Sequence, residues 1–231
     1  MVQESELIHV YFMPGMAANP SIFEHIRLPQ DRFKIHLLEW ILPKEDESLQ
    51  SYALRMNKFI KYKNVVLIGV SFGGVVVQEM SKHLELKRLI IISSIKSPKE
   101  LPRRMRYAAS TGFFKLLPTG LISYADHLEK IAFGDYLQKR AKLYRKYLSV
   151  RDKRYLDWAI KNMLLWKQEH PPKGLIHIHG DSDEIFPYKY IHNCIRVKGG
   201  THIMVINRYR WFNEHLPGII LNGRIEEEEK K

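Results

Sequence analysis

The run Val65-Val66-Leu67-Ile68-Gly69-Val70-Ser71-Phe72-Gly73-Gly74-Val75-Val76-Val77 constrains this chain more than any other stretch of it. Its first four residues are apolar without alternation, the pattern of a parallel strand covered on both faces. One serine follows in a glycine-rich turn, and apolar residues at helical spacing resume at once. The spacing predicts a serine held in a sharp strand-to-helix corner, in sparsely populated φ/ψ space. The residues two before and two after such a serine must lack a Cβ, or they collide with the helix or a neighbouring strand. Gly69 and Gly73 hold those positions. The corner would present Ser71 Oγ above the sheet, at a helix N-terminus whose dipole favours a developing anion.

The flanking chain repeats the same unit. Leu7 to Phe12 and Phe33 to Trp40 read as strands, with Ser21 to Ile26 as a short helix between them. Ser48 caps a helix in which Leu49, Tyr52, Ala53, Met56, Phe59 and Ile60 share a face. Val76, Val77, Met80 and Leu84 mark the helix after the corner, and Leu89 to Ile92 is another apolar strand. Repeated strand–helix units predict an α/β fold with a mostly parallel central sheet and helices on both faces. The alternation stops at Ser97. From Pro98 to Lys173 no strand pattern is found. Tyr124, Leu128, Ile131 and Ala132 predict one amphipathic helix there, and Leu156, Ala159, Ile160, Met163 and Leu164 another. This segment reads as a helical cap inserted between core strands. The sheet resumes with Leu175 to His179 and ends with Ile195 and Val197. Val205, Tyr209, Phe212 and Leu216 predict a final helix stopped by Pro217-Gly218. Residues 1–97 and 174–223 are therefore expected to form the core, 98–173 the cap and 224–231 a charged tail.

Composition narrows the setting. Cys194 is the only cysteine, which excludes an intrachain disulfide and makes a reducing cytoplasm the expected location. Met1 to Glu6 is polar and acidic, so no signal peptide is expected. No apolar run has the length of a membrane span. The formal net charge is +12, and residues 98–173 carry 17 Lys and Arg against 7 Asp and Glu. A solvated helical surface accounts for that excess. A sharper reading is attraction to acidic acyl donors or to an anionic membrane, since Tyr144, Tyr147, Tyr155, Trp158 and Trp166 interleave with the charges. No nucleic-acid motif is present, and nucleic acid is not expected as a partner.

A neutral serine is a poor nucleophile. It needs a base, and the base needs an orienting group. In open parallel sheets such groups gather at the carboxyl ends of strands. Asp183 follows the strand ending at His179, and His202 follows the strand ending near Val197. Asp181 is the lesser choice of acid. His192 and His215 lack a strand-end position. Ser93 and Ser94 also end a strand but have no acid of their own. His177 and His179 fall on one strand face, as a metal pair would, but no third ligand stands at a recognisable spacing, so a structural role is expected.

Four segments together resemble the α/β-hydrolase fold family in its small, capped form: Met13-Pro14-Gly15-Met16, Gly69-Val70-Ser71-Phe72-Gly73, His179-Gly180-Asp181-Ser182-Asp183-Glu184-Ile185-Phe186-Pro187 and Gly199-Gly200-Thr201-His202. The resemblance covers nearly the whole chain. The chain order Ser71, Asp183, His202 matches the order of nucleophile, acid and histidine in that family. It implies an oxyanion hole made by the Phe72 and Met16 N–H groups. Pro14 stands where family members often carry histidine, so the resemblance does not extend to the hydrogen bonds that such a histidine makes in this loop. The resemblance implies a serine hydrolase that cleaves a carboxylic ester or thioester of a small molecule, without cofactor or metal. Amide or carbon–carbon cleavage ranks lower. The alternatives are a non-catalytic ligand-binding protein on this fold, or a membrane-surface acyl hydrolase that uses the basic cap.

Overall fold

The computed structural model describes residues 7–112 and 146–225. Six strands, β1 (Ile8–Met13), β2 (Phe33–Leu37), β3 (Val65–Val70), β4 (Arg88–Ile92), β5 (Ile176–Gly180) and β6 (Ile195–Val197), form one sheet in the order β2-β1-β3-β4-β5-β6. Every pairing is parallel. The helices among the described residues are α1 (Leu49–Asn57), α2 (Phe72–Ser81), α3 (Arg103–Thr111), α4 (Lys153–Leu164), α5 (Met204–Asn207) and α6 (Tyr209–Asn222). No strand occurs among the described residues of 98–173, and the helix expected around Tyr124 to Ala132 lies outside the described residues.

The sheet sorts its side chains by parity. Tyr11, Met13, Val65, Leu67, Leu89 and Ile91 pack on one face with α1, α2 and α4. Val10, Phe12, Val66, Ile68, Ile90 and Ile92 pack on the other with Met204, Phe212, Leu216 and Ile219 of α5 and α6. All six residues of β1 and of β3 are buried, as continuous apolar runs in a parallel sheet require.

The local signals set most boundaries. Ser48 Oγ accepts from Ser51 N–H at 3.1 Å and caps α1. That helix stops at Asn57, so Phe59 lies beyond it and is exposed. The 33–40 strand pairs only to Leu37, and residues 20–23 form a 3-10 turn in place of the expected helix. Pro217 does not stop the last helix. Leu216, Ile219 and Ile220 are buried on either side of it, and the helix runs on to a left-handed Gly223 at φ 79°. Packing of that face outweighs the backbone hydrogen bond that proline removes.

The returning part of the 98–173 segment is tied to the core by polar latches. Trp158 Nε1 donates to Glu47 O at 2.7 Å, and Trp166 Nε1 donates to the buried Glu79 carboxylate at 2.7 Å. Gln168 Nε2 donates to Gln78 Oε1 at 2.9 Å and to Lys96 O at 2.7 Å. Indole and amide donors reaching fixed acceptors give α4 a defined seat over the carboxyl ends of the strands.

Candidate active site

Ser71 sits at the corner between β3 and α2 with φ 52° and ψ −121°. The conformation is costly for a residue with a Cβ, and it is held from several sides. Ser71 N–H donates to Ile92 O at 2.9 Å, and Ser94 Oγ donates to Ser71 O at 2.7 Å. Ser94 thus braces the corner. A Cβ on Gly73 would stand 2.2 Å from Pro14 O, and one on Gly69 would stand 2.3 Å from Gly73 O. Both contacts are to backbone, so neither site admits a side chain. They bring the β1 loop, the corner and the start of α2 into direct contact.

The acid and the histidine come from two turns that touch. A Cβ on Gly180 would lie 2.1 Å from Gly200 O, so the loops after β5 and β6 pass backbone against backbone. Ser182 N–H donates to Gly200 O at 2.9 Å. Asp181 joins the same two loops. It accepts from Gly199 N–H at 2.7 Å and from Arg196 at 2.6 and 2.9 Å. The Arg196 bond, followed by that of Gly199, lowers the Asp181 pKa below the usual carboxylate value.

Asp183 faces the other way. Its Oδ1 accepts from Ile185 N–H at 2.8 Å and Phe186 N–H at 2.9 Å. Its Oδ2 lies 2.9 Å from His202 Nδ1, and His202 Nε2 lies 3.0 Å from Ser71 Oγ. A carboxylate only accepts, so Nδ1 carries the proton and Nε2 is left to accept from the serine hydroxyl. The structure therefore brings Ser71, His202 and Asp183 into one hydrogen-bonded chain, and it does not bring Asp181 to His202. His192 and His215 stand elsewhere: His192 N–H points toward Glu100, and the His215 ring packs on Trp211.

His177 and His179 lie behind the acid, both buried. His179 Nε2 lies 2.9 Å from Phe186 O and therefore donates to it. His179 Nδ1 is then the bare nitrogen, and His177 Nε2, at 3.1 Å, donates to it. Burial pushes both pKa values down, that of His177 well below the ordinary value. The pair steadies the carbonyl of Phe186, the residue whose N–H holds Asp183. Among the described residues no group of three or more His, Cys, Asp or Glu gathers as a metal ion would need.

Ser71, Phe72, Gly15, Met16 and His202 line a cavity of about 760 Å³. The rest of its wall is almost wholly apolar. Met105 and Ala108 of α3 and Ile160, Met163 and Leu164 of α4 form one side, and Ile22, Ile185, Phe186, Val205 and Ile206 contribute to the remainder. Among the described residues of this lining Arg104 is the one lysine or arginine, and its Nη2 donates to Glu184 O at 2.8 Å. Gly15 approaches Ser71 closely enough that a Cβ there would lie 3.4 Å from Ser71 Cβ. The loop carrying Met16 thus runs directly beside the serine.

One contributor escapes a search for acids, bases and nucleophiles. Trp40 Nε1 donates to Gly15 O at 2.9 Å, and its ring stacks on Phe72 at 5.5 Å and 13°. Its only sequence signal was its place at the carboxyl end of a parallel strand, where functional loops gather. Among the described residues no helix is long and apolar enough to cross a membrane.

No family model matches the chain, and no curated protein matches it by sequence. Solved structures do match. An epoxide hydrolase of the α/β-hydrolase superfamily from hot-environment metagenomes superposes with a TM-score of 0.66 at 15% identity, over 95% of this chain and 92% of that one. An esterase from Exiguobacterium antarcticum gives 0.64 at 18% identity, over 93% and 92%. A bromoperoxidase from Bacillus anthracis gives 0.61 at 15% identity, over 93% and 92%. These proteins are named for three chemistries on one scaffold, so the likeness speaks for architecture and not for reaction. With its all-parallel sheet, helices on both faces and these structural neighbours, the chain has the α/β-hydrolase fold.

Proposed function

We propose that this protein is a serine hydrolase that cleaves a carboxylic ester or thioester with an apolar acyl group. The observation that carries the reading is the unbroken hydrogen-bond chain from Asp183 through His202 to Ser71, opening onto an apolar cavity. Ser71 Oγ attacks the carbonyl carbon while His202 Nε2 takes its proton. Asp183 holds the imidazole and stabilises the imidazolium that forms. The carbonyl oxygen becomes an oxyanion, bound by the Phe72 N–H at the start of α2 and the Met16 N–H on the loop after β1. Collapse of the intermediate expels the alcohol or thiol, which receives the proton from His202. Water, activated by the same histidine, then releases the acid and frees Ser71.

The cavity wall supports the choice of acyl group. Methionine, isoleucine and leucine side chains gain by covering methylenes and offer no partner to a polar acyl chain. The esterase among the structural neighbours is consistent with this chemistry. Residues 98–173 are proposed to act as the cap, since α3 and α4 supply one wall of the cavity. The test is labelling with a fluorophosphonate, followed by assay on p-nitrophenyl esters of increasing chain length. Labelling of Ser71 that is lost in Ser71→Ala, with turnover favouring apolar chains, is the expected result. A wild-type protein that neither labels nor turns over any ester or acyl-CoA would overturn the reading.

A further inference from the structure

We propose that Trp40 is a positioning residue that keeps the Gly15–Met16 peptide in the orientation the oxyanion hole requires; the inference rests on the acyl-transfer reading above. The peptide carries two opposed groups. In a trans peptide the Gly15 carbonyl and the Met16 N–H point in opposite directions, and the described chain has no cis peptide bond. If the peptide flips, a carbonyl oxygen faces the serine where a donor is needed, and an oxyanion meets repulsion in place of a hydrogen bond. What fixes the carbonyl therefore fixes the donor.

Two donors hold that carbonyl. Ala18 N–H reaches Gly15 O at 3.1 Å and closes a four-residue turn whose third residue, Ala17, has φ 63°. The turn alone is a weak lock, because a positive φ at an alanine is itself unfavourable. Trp40 Nε1 adds the second bond at 2.9 Å, from a rigid ring on the segment that follows β2. The same ring stacks on Phe72, the residue whose N–H is the other proposed donor, and tilts against Tyr155 at 5.1 Å. Tyr155 is fully buried, and its hydroxyl lies 3.4 Å from Ala17 N. One indole thus ties the β1 loop to the start of α2 through a hydrogen bond on one side and a stack on the other. This is a separate support for a loop in which Pro14 offers no side-chain hydrogen bond.

The experiment is the second-order rate of Ser71 labelling by a fluorophosphonate, whose developing anionic oxygen must enter the same hole. It needs no knowledge of the natural substrate. Trp40→Phe removes the N–H donor and keeps an aromatic ring against Phe72. Replacement of Trp40 by 3-benzothienylalanine removes the donor at nearly constant shape, which covers the case in which Trp40→Phe does not fold. Trp158→Phe is the packing control, since Trp158 meets Phe72 edge-on at 5.7 Å and donates only to Glu47 O in the described contacts. Loss of a whole oxyanion donor costs about 10²- to 10³-fold in rate, so a donor freed to flip should cost about ten- to a hundredfold. The expected result is that fall in both Trp40 variants, seen in kcat more than in KM on any accepted ester, with Trp158→Phe labelling at the wild-type rate. Wild-type rates in the benzothienyl variant, or an equal fall in Trp158→Phe, would overturn the inference while leaving the serine chemistry standing. A wild-type protein that does not label removes the serine chemistry and this inference together.

Discussion

Two aspartates two residues apart do opposite work in this site. Asp181 spends its oxygens on Arg196 and Gly199 and staples the β5 turn to the β6 turn, whereas Asp183 turns inward to His202. Asp183→Asn should therefore lower kcat by roughly 10⁴-fold, because the imidazole loses its tautomer-fixing acceptor. Asp181→Asn keeps the shape and a hydrogen-bond acceptor, and it should cost far less activity while lowering Tm. Steady-state kinetics and thermal melts on the two variants check this, and the reverse ranking of activity would make Asp181 the acid. At Gly73 the effect is steric. A methyl group there meets Pro14 O at 2.2 Å, so Gly73→Ala should cost about 1–3 kcal/mol in chemical denaturation and displace the Met16 loop. The meeting of Ser71, Asp183 and His202 was legible in the sequence because each lies in the turn at the carboxyl end of a parallel strand. Trp40 was not, because its contribution is a hydrogen bond to a main-chain carbonyl, which no motif encodes.

Among the elements, β5 carries a pH signature. His177 and His179 are buried and neutral, with their pKa values depressed chiefly by desolvation. In the unfolded chain both titrate near the ordinary value of about 6.5. Below that pH the unfolded state binds more protons than the folded state, so stability falls as pH falls and is fully present above it. Tm should decline from about pH 6.5 downward, and His177→Asn should make that decline shallower than in the wild type. An unchanged slope would mean that His177 takes up its proton in the folded state as readily as in the unfolded chain. The strands of this sheet were readable because burial on both faces writes a continuous apolar run. Helix ends were read less well, as at α6, where Phe212, Leu216, Ile219 and Ile220 hold a helix together across Pro217. A breaker residue is a local signal, and the packing that overrides it is not local.

For the whole molecule, the order β2-β1-β3-β4-β5-β6 sets Ser71 centrally and sends Asp183 and His202 in from one side. That much follows from counting strand–helix units. The cavity does not, because its wall pairs Met105 and Ala108 of α3 with Ile160 and Met163 of α4, and no periodicity states which helices meet across a loop. The charge of residues 98–173, 17 basic against 7 acidic, is a property at this same scale. Three exposed arginines, Arg103, Arg104 and Arg106, lie on α3, and Arg104 reaches the cavity wall. Charge so placed acts over distance before contact, and salt removes that action: the Debye length shrinks from about 30 Å at 0.01 M to about 10 Å at 0.1 M. For an anionic acyl-CoA, kcat/KM should fall over that range, while a neutral p-nitrophenyl ester of the same acyl group should hold steady. Arg103→Glu combined with Arg106→Glu should reproduce the loss at low salt and leave the neutral ester unaffected, because neither residue lines the cavity. Equal salt slopes for the two substrates would assign the charge to ordinary solvated surface and leave the apolar wall as the sole source of selectivity.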